Sequence, residues 1–187
     1  MTEADKIKDK RSHILEIAKN IAHEEGLSNL NIRRIAKESG VAIGSVYNIV
    51  GNKDELILYL VKDYWEEAID QLADKSKTFD GNYEDKLNQL YKDFRLVSKK
   101  FHSDWIRDLV GMHMENPHVV NLSGAYKKEI ENMIRLILSE DEDIRDHFDE
   151  SFSLEDLSKF IFDNMMLAMG NDEKDLGFLN NILRRCL

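Results

Sequence analysis

The stretch from Arg33 to Lys53 concentrates side chains suited to gripping a polyanion. Arg33, Arg34 and Lys53 supply positive charge. Ser45, Tyr47 and Asn48 supply hydroxyl and amide groups that can donate to phosphate oxygens or read base edges. Gly44 and Ser45 are small enough to let a backbone come close to a duplex, and Ile43 can meet a thymine methyl group. Lys53 stands in the first turn of a predicted helix, where a cation opposes the helix dipole. Stability does not explain it there, and phosphate binding at the helix start does. Other chemistries find less support. The chain has no Gly-rich phosphate loop, no Gly-x-Ser-x-Gly elbow and no supported Cys-His pair, so no catalytic residue and no cofactor is nominated. His113 and His118 flank Glu115, but they are five apart across Pro117. Zinc ligands on one helical face stand three or four apart, so no metal site is assigned.

These residues need elements to position them. Ile14, Ile17, Ala18, Ile21 and Ala22 fall at helical spacing and predict a helix over 5–25 that ends at Gly26. Asn31 is the expected cap of a short helix over 32–39, with Ile32, Ile35 and Ala36 on one face and Gly40 as its break. A third segment over 42–49 carries Val46 and Val50 four apart, so Ile43, Gly44, Ser45, Tyr47 and Asn48 fall on its other face. Helices of about eight residues are not stable alone. Two of them joined by a tight turn must pack on a third, and that arrangement is a helix-turn-helix unit. Asn52 and Glu55 then form an Asn-x-x-Glu capping box for a long helix reaching about Lys75.

Further helices are expected over 82–102, 103–114, 117–138, 153–169 and 172–185, with an acidic loop over 139–152. Strand-type alternation is scarce, so the fold class is all-α. The 187 residues are 42% hydrophobic and 33% charged, a globular composition. The net charge of −10 is unevenly spread. Residues 1–53 hold nine Lys and Arg against seven Asp and Glu, and the remainder holds 17 against 29. A head of +2 therefore joins a body of −12. The lone Cys186 forms no internal disulfide, no apolar run reaches the ~20 residues of a membrane span, and no secretory signal is visible. The expected location is the cytoplasm, with no membrane partner.

Residues 10–60 resemble the DNA-binding domain of the TetR family of one-component transcriptional regulators. The family reads as an apolar helix ending in Gly, then Thr-x-x-x-Ile-Ala-x-x-x-Gly-Val, a short x-Gly-x-x-Tyr-x-x-Phe segment, and a Lys-x-x-Leu helix start. This chain has Ile14, Ala18, Gly26, Ile35-Ala36, Gly40-Val41, Gly44, Tyr47, Lys53 and Leu56 in matching places. It departs at Asn31 for the usual Thr, at Val50 for the usual Phe, and at Ala42 for the usual Ser or Thr cap of the recognition helix. Ile43 also stands where polar residues are common.

The resemblance implies nine or so helices, a homodimer through the last two, and an effector cavity in the body. DNA binding is assigned to 1–53, and ligand binding and dimerisation to 54–187. Trp65, Tyr91, Phe94, Phe101, Trp105, Met112, Tyr126 and Met133 are the candidate cavity residues, on successive helices at core-facing spacing. The helix over 153–169 is apolar on more than one face. Leu157, Phe160, Ile161, Met165 and Met169, with Phe178 and Ile182 of the last helix, offer more apolar surface than one core needs and are the expected dimer interface. The expected function is a ligand-responsive regulator, a repressor, on a near-palindromic operator. The rival is a TetR-like ligand- or protein-binding module that has lost specific DNA binding.

Overall fold

The computed structural model describes residues 3–100 and 117–187, with side chains from Asp9 and from Gly124 onward in these stretches. The described residues contain eight α-helices and no strand. They are α1 (Glu3–Glu25), α2 (Ile32–Ser39), α3 (Ile43–Val50), α4 (Lys53–Ser76), α5 (Tyr83–Lys100), α6 (Pro117–Ser139), α7 (Leu154–Gly170) and α8 (Gly177–Cys186). Short 3-10 turns lie at Leu27–Asn29 and Arg145–His147. The helix expected over 103–114 lies outside the described residues. The all-α expectation holds.

The described chain forms two compact units: residues up to Trp65 together with 117–121, and residues 66–100 with 122–187. The division falls inside α4, which is one continuous helix. In the first unit, Ile14, Ala18, Ile21 and Ala22 of α1 are buried with Leu27, Leu30, Ile35, Val46, Leu56 and Leu60. Burial of such side chains is what allows two eight-residue helices to persist.

In the second unit the core is built from Leu87, Leu90, Tyr91 and Phe94 of α5, Ile130, Ile134 and Leu138 of α6, and Ile161 and Met165 of α7. Leu179 and Leu183 of α8 complete it. The acidic stretch after α6 helps to anchor α5, because Asp141 Oδ2 accepts from the Tyr83 backbone N–H at 2.8 Å, at the start of that helix. Ser153 caps α7, accepting from the Asp156 N–H at 3.0 Å.

The last helix differs from its prediction. It begins at Gly177 and not near 172, because α5 holds the intervening chain in a turn. Asn88 Oδ1 accepts from the Leu176 N–H at 3.0 Å, and the Tyr91 hydroxyl donates to the Glu173 carbonyl at 2.8 Å. The Arg95 guanidinium donates to the Asp172 carbonyl at 3.2 Å and pairs with its carboxylate. Asp172 itself takes a positive φ of 56°, which reverses the chain after α7.

Candidate nucleic-acid interface

The face proposed for α3 is built by three local devices. Asn31 Oδ1 accepts from the Arg33 N–H at 2.9 Å and from the Arg34 N–H at 3.4 Å, starting α2. Gly40 ends it in the left-handed region at φ 66°, and the Val41 N–H returns to the Ala36 carbonyl at 3.2 Å. The chain then enters α3 through Ala42, which supplies no side-chain cap. The third device is Gly51, at φ 70° and ψ −132°. A Cβ on Gly51 would lie 1.9 Å from Glu55 Oε2, so only glycine leaves room for the capping box. In that box the Glu55 N–H donates to Asn52 Oδ1 at 2.9 Å, and Asn52 Nδ2 donates to Glu55 Oε1 at 2.6 Å.

Val46 and Val50 of α3 are buried. Ile43, Gly44, Ser45, Tyr47 and Asn48 are all exposed, Ile43 at 42% and Tyr47 at 49%. A large aromatic and a branched aliphatic so exposed on one short helix form a contact surface that no described residue of their own unit covers. The sequence-derived face is brought together on one side of one element.

The neighbouring cations behave differently from one another. Arg33 is exposed on α2. Arg34 is half-buried and committed: Nε donates to Glu38 Oε1 at 2.7 Å and Nη1 to Glu25 Oε2 at 2.7 Å. The hydrogen bond with Glu38, then that with Glu25, holds its pKa above the ordinary arginine value. Lys53 Nζ donates to the Ser28 carbonyl at 2.6 Å, tying the start of α4 to the turn after α1. The sequence pattern shows the Arg34 and Glu38 spacing of i,i+4. It does not show the contact of Lys53 with a carbonyl 25 residues earlier.

The remaining candidates sit in the body. Tyr91, Phe94 and Met133 are buried core residues, and the Tyr91 hydroxyl is already engaged by Glu173. Phe94 packs against Phe162 with ring centroids 6.5 Å apart. Tyr126 and Trp65 are half-buried, and Trp65 meets Tyr64 edge-on at 5.7 Å. Phe101, Trp105 and Met112 lie outside the described residues, as does His113. A cleft of the second unit, about 590 Å³, is polar and is lined by none of the candidates; Lys75, Asp85, Asn88 and Asp93 are among its walls. Among the described residues no cluster of three His, Cys, Asp or Glu is arranged around a metal position.

Of the expected interface set, Leu157, Ile161 and Met165 are buried within the chain's own core. They are spent there because the inward stripe of α7 runs through 157, 161, 165 and 168. Met169 and Ile182 are half-buried. Phe160 at 46%, Leu167 at 63% and Phe178 at 77% remain outside, and Phe160 lines an apolar cleft of about 320 Å³ with Phe152, Ile182 and Cys186.

Two short helices packed on α1, the second with Gly44, Ser45, Tyr47 and Asn48 exposed, define a helix-turn-helix unit. Residues 14–60 match the family described as bacterial regulatory proteins, tetR family. An HTH-type transcriptional regulator of Staphylococcus aureus (strain MRSA252) is 27% identical over 156 residues, covering 83% of this chain and 82% of that protein. Among solved structures, the multidrug binding protein EbrR complexed with imidazole superposes with a TM-score of 0.60. It is 13% identical, with 95% of this chain and 94% of that one covered. FadR from Bacillus subtilis in complex with stearoyl-CoA gives 0.57 at 20% identity, covering 94% and 96%. Over residues 14–60 the chain is therefore similar to the tetR family of bacterial regulatory proteins. No helix among the described residues is long and apolar enough to cross a membrane.

Proposed function

We propose that the protein is a ligand-responsive repressor that binds a near-palindromic operator as a homodimer in the cytoplasm. The observation that carries this reading is the exposed face of α3, with Ile43, Gly44, Ser45, Tyr47 and Asn48 on one side and Val46 and Val50 in the core on the other. DNA binding is assigned to residues 1–53, with Arg33, Arg34 and Lys53 beside that face. Effector binding and dimerisation are assigned to 54–187.

Two copies present two α3 helices. Successive major grooves on one side of a duplex stand roughly 34–36 Å apart, which sets the half-site spacing. Phe160, Leu167 and Phe178, exposed on α7 and α8, are apolar enough to be the contact between copies. Leu157, Ile161, Met165, Met169 and Ile182 support that contact from beneath or at its edge. EbrR and FadR are solved with small molecules bound, which supports an effector for this chain as well. The effector site is assigned to the region of Tyr91, Phe94, Tyr126 and Met133 in the second unit. Lys53 and Trp65 are twelve residues apart on α4, about 18 Å by helix rise. An effector that binds a splayed arrangement better than the DNA-bound one would shift α4 and release the operator.

The test is DNA affinity of Tyr47→Ala and Lys53→Ala across a salt series. Each is expected to weaken binding while leaving the dimer intact, and Lys53→Ala to flatten the salt dependence by about one unit of slope. Unchanged affinity in both removes the proposed mode. A second reading, a TetR-like module without specific DNA binding, is favoured by the internal partners of Arg34 and Lys53 and by the uncapped start of α3.

A further inference from the structure

The DNA-binding reading leaves a shortage of cation beside α3. Arg34 is held by two carboxylates and Lys53 by a carbonyl. Besides the exposed Arg33 of α2, a further guanidinium lies close. Arg11, on α1, shares a cleft of about 320 Å³ with Tyr47, Asn48, Ile49, Gly51, Glu55 and Tyr59. Tyr47 and Asn48 are two of the polar residues that the α3 face exposes, so a duplex seated on that face brings its backbone to the mouth of this cleft.

The way Arg11 is held matters. Its guanidinium carbon stands 5.4 Å from the centroid of the Tyr59 ring. Stacking on a ring face fixes the group through the ring quadrupole and uses none of its N–H donors. The N–H donors of the fork lie in the guanidinium plane. Among the described residues Arg11 has no carboxylate partner. An oriented, charged group with its donor edge free suits two oxygens of one phosphate. Glu55 lines the same cleft and repels an anion. It is already bonded to Asn52 at the positive end of α4 and keeps a phosphate at the rim, where Arg11 is exposed.

We propose that Arg11, stacked on Tyr59 beside the recognition helix, clamps a backbone phosphate of the bound DNA. The inference rests on the DNA-binding reading. A phosphate contact carries no sequence information, so it strengthens binding to every duplex alike.

The experiment measures affinity for two duplexes of equal length over a salt series. One carries the site that the protein enriches from sheared genomic DNA, and the other is its shuffled sequence. Arg11→Met keeps an apolar stem against Tyr59 and removes the charge. It is expected to lower affinity about fivefold at 0.15 M salt on both duplexes and to reduce the salt slope by about 0.9. Arg11→Lys is expected to restore the slope, and if Arg11→Met lowers the melting temperature of the protein, Arg11→Gln takes its place with the same expected loss of slope. An unchanged slope in Arg11→Met, a loss confined to the enriched site, or a reduced slope in Arg11→Lys overturns the clamp. If the wild-type protein binds neither duplex, the DNA-binding reading falls and the clamp with it. If the wild type binds and Arg11→Met matches it, the clamp alone falls.

Discussion

Two surfaces left uncovered among the described residues are opposite in kind. On α3 the exposed residues are small or polar around one tyrosine: Gly44, Ser45, Tyr47 and Asn48, with Ile43 at the edge. On α7 and α8 they are large and apolar: Phe160, Leu167 and Phe178. A wet, charged partner such as a duplex is met by side chains that donate hydrogen bonds and tolerate water. A second protein surface is met by side chains that gain from leaving water. The first surface is also supported by strict local geometry, with Gly40, Gly51 and two caps fixing eight residues. The second needs only a helical stripe. A surface that reads another molecule has to be placed, whereas one that adheres has mainly to be apolar.

The comparison can be broken most forcefully on the apolar side. Phe160→Asp with Phe178→Asp places two charges on the proposed contact. It is expected to convert dimer to monomer in sedimentation and to lower operator affinity by orders of magnitude, because the two half-sites are then bound independently. A dimer that survives the pair would move the interface elsewhere.

Next in size is the positioning of α3. Gly51→Ala forces a side chain into the space of the Glu55 carboxylate at a positive φ. It is expected to cost about 1–3 kcal/mol of stability, seen as a lower melting temperature, and to reduce DNA affinity with the dimer unaffected. Wild-type melting would mean that Glu55 swings away and the box is dispensable.

Tyr47→Ala removes the largest exposed side chain of the polar face. An expected loss of tenfold or more in affinity for the enriched site, with unchanged melting, separates a contact residue from a core one; equal losses in both would assign Tyr47 to packing. The smallest change sharpens the comparison instead. Ala42→Ser supplies the missing cap of α3 and is expected to raise stability by about 0.5–1 kcal/mol in chemical denaturation.

Much of the first unit was legible in the sequence because its determinants are local. Asn31, Gly40, Asn52 and Glu55 act within a few residues of themselves, and Ile32, Ile35 and Ala36 declare the buried face of α2. The start of α8 was not legible, since Asn88, Tyr91 and Arg95 reach it from a helix some eighty residues earlier. The division of labour on α7 was not legible either. A helix apolar around more than one face does not say which stripe is its own core, and Leu157, Ile161 and Met165 prove to be that stripe. Arg34 and Lys53 show the same limit at the candidate site: their residue types suggest phosphate contacts, and their partners Glu25 and Ser28 are set by tertiary packing.

The most direct test of the central claim is to incubate the purified protein with sheared genomic DNA of its source at about physiological salt and sequence what it retains. The account predicts one sharp, near-palindromic motif whose half-sites are centred about one helical turn apart, lost in Tyr47→Ala. Flat enrichment from a folded dimer, with Tyr47→Ala indistinguishable from wild type, would contradict it.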